Sequence, residues 1–154
     1  MNEGPNIKGN PLYAFTILIV LSYFFGTFII PIYPLAYFFN LIGVIGLLLS
    51  IGIFIAGFNL FKTYEENPLP QSEAIKLIKT GIFSYMRNPI YTAFILFLFS
   101  MFLVFENVVY FLSFVGFSIW VHNFVVKIEE DYLQKKFNDE YSRYKLAVKR
   151  WIFF

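Results

Sequence analysis

The chain has 154 residues, enough for one domain, and is 58% hydrophobic but only 14% charged. Soluble domains carry about 25% charged residues, so the deficit excludes an ordinary soluble protein and predicts an all-α integral membrane protein. A net charge of +2 argues against nucleic acid as a partner, and the absence of cysteine excludes a disulfide framework, a thiolate metal site and a cysteine nucleophile.

Residues 1–11 carry two glycines and two prolines and predict a short, loosely ordered arm. No basic leader or small-residue cleavage site precedes the first apolar run, which is therefore read as retained. Residues 12–30 are uncharged, and at about 1.5 Å per residue they approach the ~30 Å hydrocarbon thickness of a bilayer. Pro31 and Pro34 mark the turn after this first span. Residues 35–61 form a second, longer uncharged span. Its small residues include the pairs Gly46/Ser50 and Gly52/Ala56, whose spacing permits close helix packing.

Residues 62–88 are the long polar connection, with Ser72 placed to cap a short turn over Ile75–Ile78. A loop of this length usually either has a function or is disordered; the expectation here, which rests on a likeness of Thr63…Pro68…Leu77…Gly81 to a known family's pattern, is that it is ordered and covers part of a site. Residues 89–105 are a third span of just sufficient length. Glu106-Asn107 make a tight turn, and residues 108–126 return as a fourth span, so these two form an antiparallel hairpin. In residues 127–154 Leu133, Phe137, Tyr141, Tyr144 and Val148 recur at helical spacing, which predicts a C-terminal amphipathic helix. Asn138 tolerates a left-handed backbone and predicts a break in it. Trp151, Phe153 and Phe154 suit an interfacial anchor.

All twelve Lys and Arg lie in the arm, in the 62–88 loop or beyond residue 126, and none lies in the turns near 31–34 and 106–107. Four transmembrane helices place the three basic segments on one face, which the positive-inside rule makes cytoplasmic, with both termini there. The uncharged spans argue against an ion-coupled transporter. Chemistry is then expected at the cytoplasmic helix ends.

At one of these ends stands Arg87-Asn88-Pro89-Ile90-Tyr91. Asn88 suits an N-cap through its side-chain oxygen, and Pro89 suits the first helical position. Arg87 beside a helix N-terminus makes a seat for a carboxylate or phosphate, though alone it is equally a snorkelling anchor. His122 and Glu129 are seven residues apart and would share one face of a continuous helix. Glu129, Glu130 and Asp131 by themselves would read as a solvated face.

The stretch resembles the RNPxY motif of the isoprenylcysteine carboxyl methyltransferases and their prokaryotic relatives. In that family the motif is followed one helical hairpin later by a Glu-Glu pair, here Glu129-Glu130. A tail of similar pattern follows, through Leu133, Phe137, Glu140-Tyr141, Tyr144, Val148 and Arg150-Trp151. The resemblance covers roughly residues 60–152 and implies one membrane methyltransferase domain over 1–154, in a prokaryotic cell membrane.

It implies S-adenosyl-L-methionine as cofactor, held by Arg87, Asn88, Pro89, Tyr91, His122, Glu129 and Glu130, with Arg87 and Tyr91 at the reacting centre. Arg87 would meet the cofactor carboxylate and Glu130 its ribose. A lone histidine offers no metal pair, and no metal is expected. The acceptor would be a lipophilic or prenylated small molecule or a membrane lipid. Carboxyl O-methylation of an isoprenylcysteine-like substrate is the first expectation, and N-methylation of a phospholipid or other lipophilic amine the second. A non-enzymatic membrane interaction protein is the competing class.

Overall fold

A computed structural model describes residues 4–30 and 34–152. Among these residues the chain is entirely helical, without strands. Helix α1 runs over Pro11–Phe28, α2 over Tyr37–Tyr64, α3 over Pro89–Phe105 and α4 over Val108–Val121. A π turn, His122–Val126, joins α4 without interruption to α5, Lys127–Ala147. By length and composition α1, α2 and the α4–α5 helix are long and apolar enough to cross a membrane. Helix α3, an uncharged helix of 17 residues, spans about 25 Å.

Local chemistry sets the helix ends. Asn10 accepts from the Leu12 N–H at 2.9 Å and Pro11 takes the first position of α1. Glu106 closes α3 in the left-handed conformation, and Asn107 caps α4 by accepting from the Val109 N–H. The two-residue turn thus makes α3 and α4 the antiparallel hairpin that its length predicts. The backbone of α5 breaks at Asn138 (φ 44°, ψ −115°), as its residue type predicts.

Helix α2 packs on α3, α3 on α4, and α4 on α1. Small residues permit the approach: a Cβ on Gly46 would stand 2.2 Å from the Ser100 hydroxyl, and one on Gly26 would stand 2.7 Å from Asn107. Ser22 and Ser113 share a buried hydrogen bond of 2.7 Å between α1 and α4. Of the two small-residue pairs in α2, Gly46 and Ser50 are buried, whereas Gly52 and Ala56 are exposed and Gly52 meets no side chain. The second pair lies on a different side of the helix from the α3 contact. The core centres on Phe94, Leu98, Phe117 and Val121, with Phe15 stacked on Phe94 at 4.3 Å.

Three expectations change or fall outside the description. The part of the arm over residues 4–10 is ordered, because Ile7 is buried in the core and Gln71 donates to the Gly9 carbonyl at 2.9 Å. Ser72 caps no helical turn. Its N–H donates to the Leu69 carbonyl, and the backbone at 75–76 is held by the Glu66 carboxylate instead. Pro31, Phe153 and Phe154 lie outside the described residues.

Candidate functional site

The loop after α2 is ordered, as the likeness of its segment to the family's pattern implies, and it closes one end of the bundle. Beyond the Glu66 contacts, Tyr132 on α5 accepts from the Ala74 N–H at 3.2 Å, Glu73 pairs with Lys136, and Tyr144 donates to the Phe83 carbonyl at 2.7 Å. Between this loop, the start of α1, the end of α2, the start of α3 and α5 lies a cavity of about 260 Å³. Its walls include the rings of Phe54, Phe58, Phe61 and Phe83, and its polar lining includes Lys76, Arg87, Asn88, Tyr91, Glu129 and Glu130.

Arg87 ends the loop and makes four side-chain bonds. Its Nε and Nη2 donate to Glu130 Oε1 at 3.1 and 2.8 Å, and its Nη1 donates to the carbonyls of Val148 and Lys145. Its backbone N–H donates to the Lys149 carbonyl at 2.9 Å. Arg150 approaches from the C-terminal tail and holds both oxygens of the same carboxylate, at 3.1 and 2.6 Å. Glu130 is thus gripped by two guanidinium groups and is 4% exposed. Burial by itself would raise its carboxyl, but the hydrogen bonds and charges of Arg150 and Arg87 outweigh that and hold it below the usual range.

Arg87 and Glu130 therefore meet each other, where the sequence reading put them at opposite ends of a cofactor. With most of its donors committed inside the protein, Arg87 positions Glu130 and the tail.

Asn88 also differs from its sequence reading. It occupies the N-cap position, yet its side chain makes no cap and donates to the Arg150 carbonyl at 3.3 Å. Pro89 starts α3 as expected. Asn88 and Pro89 line the cavity as small, buried surfaces.

Glu129 points into the cavity beside this clamp. Tyr91 donates its hydroxyl to Glu129 Oε1 at 3.0 Å. Among the described residues the ion pairs are Lys79–Glu140, Arg87–Glu130, Lys136–Glu73 and Arg150–Glu130, and Glu129 takes part in none of them. Burial pushes its carboxyl up to about 8, against the Tyr91 hydrogen bond and reinforced by the charge of Glu130. Two adjacent carboxyl groups are driven apart, which is how one fold separates a structural anion from a proton carrier.

His122 does not reach the cavity. The π turn inserts one residue into the helical repeat, which offsets His122 from Glu129 by on the order of 100°. The His122 ring instead lies 6.2 Å from that of Trp151, beside Arg87, Lys149 and Arg150. Sequence reasoning gave Arg150 no role, although Arg150-Trp151 was part of the tail that matched the motif pattern. The aromatic lining from α2 carried no distinguishing signal in a chain with 22 Phe.

The model of the phospholipid methyltransferase family matches residues 39–140. That region contains all but the first two residues of α2, the loop, Arg87 to Tyr91 and the Glu129-Glu130 pair. A protein of Haemophilus influenzae described as an uncharacterized protein is 47% identical over 36 residues, which make up 23% of this chain. The match spans 57% of that relative's length.

Proposed function

The chain belongs to the phospholipid methyltransferase family, and from that premise we propose that it methylates the amine of a lipophilic acceptor, such as a phospholipid headgroup, using S-adenosyl-L-methionine. The observation that carries this reading is Glu129, a carboxyl facing the cavity with a tyrosine hydroxyl for a partner and, among the described residues, no ion pair, although Arg87, committed to Glu130, and Lys76 also line the cavity. A buried negative charge without a counter-ion is costly, so the site favours a ligand that brings positive charge or a proton. An alkylammonium brings both. A carboxylate acceptor brings neither, and its charge would further disfavour ionisation of Glu129.

The cavity chemistry fits the cofactor. Phe54, Phe58, Phe61 and Phe83 offer an aromatic setting for adenine and for a cation, and Glu129 tolerates a sulfonium. S-adenosyl-L-methionine supplies a methyl group already activated for nucleophilic attack. The protein must then bind, orient and exclude water. Glu129 takes a proton from the acceptor ammonium, freeing the nitrogen lone pair. Tyr91 steadies the resulting balance through its hydrogen bond. Arg87 and Arg150 keep Glu130 ionised and hold the helix that presents Glu129.

We also read α3 as the fourth span, which places the cavity and both termini on the cytoplasmic side.

Membranes containing the protein should be incubated with isotopically labelled cofactor and the lipid extract analysed by mass spectrometry. The reading predicts label on a headgroup or lipid amine. Label in a methyl ester would return the acceptor to the isoprenylcysteine-like carboxylate class.

A further inference from the structure

S-adenosyl-L-methionine ends in an amino acid, and a cavity that holds it needs a cation for its carboxylate. The motif resemblance gave that task to Arg87. The structure commits Arg87 elsewhere: Nε and Nη2 donate to Glu130, and Nη1 donates to the carbonyls of Val148 and Lys145. We propose that Lys76, on the loop after α2, is the seat of the cofactor carboxylate. This assignment rests on the cofactor reading above and adds to it a residue outside both the motif and the Glu-Glu pair.

Three observations carry it. Among the described residues that line the cavity, the permanent cations are Lys76 and Arg87. Lys76 takes part in none of the ion pairs among the described residues, and its Nζ donates to the Tyr64 carbonyl at 3.2 Å. An ammonium has three donors, so it keeps capacity for a ligand. The acidic neighbour in the lining is Glu66, which is buried and whose two oxygens accept from the backbone N–H groups of Ile75 and Lys76. Those bonds fix the backbone from which the lysine side chain extends, and Glu66 makes no ion pair with its ammonium.

The place of Lys76 in the fold selects the cofactor over the acceptor. Lys76 is exposed and belongs to the polar loop beyond the end of α2. Phe54, Phe58 and Phe94, in the same cavity, belong to the uncharged stretches of α2 and α3. A water-soluble cofactor meets the loop from the aqueous side, and a lipophilic acceptor meets the apolar helices. Lys76 then takes the anionic end of the cofactor, and Glu129 is left to the groups that bring positive charge.

The test is calorimetric titration of the purified full chain in detergent with two ligands. S-adenosyl-L-homocysteine carries the amino-acid carboxylate. 5′-Methylthioadenosine has the same nucleoside and thioether without it. Lys76→Ala should weaken S-adenosyl-L-homocysteine by about tenfold and 5′-methylthioadenosine by less than about twofold. Lys76→Arg, which keeps the charge, should retain most of the affinity. Lys76→Gln serves if the alanine variant does not fold. Equal losses for the two ligands would overturn the proposal, because they would make Lys76 a support for the cavity wall. Unchanged affinity for S-adenosyl-L-homocysteine would also overturn it, and if transfer to lipid were then lost, Lys76 would belong to a phosphate on the acceptor. A wild type that binds neither ligand would instead remove the cofactor reading on which the assignment stands.

Discussion

Where α3 turns into α4, Asn107 caps α4 and also donates to the Gly26 carbonyl at 2.8 Å, and Asn40 donates to the Leu103 carbonyl and to Glu106. These polar side chains spend their hydrogen bonds on neighbouring backbone, and the helices close on each other through glycine. At the opposite end of the bundle the polar groups are just as buried but are divided unequally. Glu130 receives two arginines, while Glu129, the next residue, receives one tyrosine hydroxyl and a cavity. The first end is satisfied by the protein alone except at the buried Tyr110 hydroxyl, which finds no partner among the described residues. The second is satisfied only in part, and what it lacks is a cation or a proton. That imbalance marks the functional end of the bundle.

The largest effect should come from undoing the satisfied half of the open end. Glu130→Ala leaves two arginines without their buried partner, a change that costs about 3–5 kcal/mol. Thermal denaturation in detergent should show a loss of about 10 °C. A loss no larger than that of a surface variant would mean that the clamp does not hold the tail to the motif loop.

A smaller effect, opposite in sign, should follow from removing the unsatisfied charge. The Glu129 carboxyl is raised in the folded state to about 8 from 4.5. A group raised in this way stabilises the fold fully below the unfolded value and loses that contribution as pH rises through the folded one. The melting temperature of Glu129→Gln should therefore gain on that of the wild type between pH 4.5 and 8, and exceed it by a few degrees at pH 9. Parallel curves for the two proteins would show that Glu129 is compensated after all.

Tyr91→Phe sharpens the same contrast. The ring stays in the core while the hydrogen bond to Glu129 is lost, so methyl transfer should fall by up to about tenfold. Because that bond opposes the upward shift, the pH dependence of activity should move toward the alkaline side. Asp131, the third acid of the run, is exposed, and Asp131→Asn should change stability by less than about 0.5 kcal/mol and leave activity unaltered.

The closed end was largely legible in the sequence. Uncharged runs and Glu106-Asn107 predict α3, α4 and their antiparallel pairing, since each rests on local backbone chemistry, as does the break at Asn138 in α5, which lies at the other end. The open end was legible in its residue types and not in its pairings. Arg87 donates to carbonyls some sixty residues away, and a carbonyl has no side-chain identity for a sequence to display. Arg150 meets Glu130 only because the tail doubles back. The π turn follows from packing, with no motif of its own among His122–Val126, and it carries His122 away from the glutamates. Ile7 and Pro5 order the arm through buried side chains within a segment of polar and turn-forming residues.

The most direct test of Glu129 as the group that receives the acceptor proton is the pH dependence of kcat/KM for methyl transfer to the labelled acceptor, measured for wild type and Glu129→Gln. This quantity reports the ionisation of the free enzyme. The wild-type value should climb as pH passes through about 8, where the carboxyl becomes the base. Glu129→Gln should lack that rise and be slower by about 10²–10⁴-fold. Equal profiles and equal rates for the two proteins, with product forming as a methyl ester, would contradict the account.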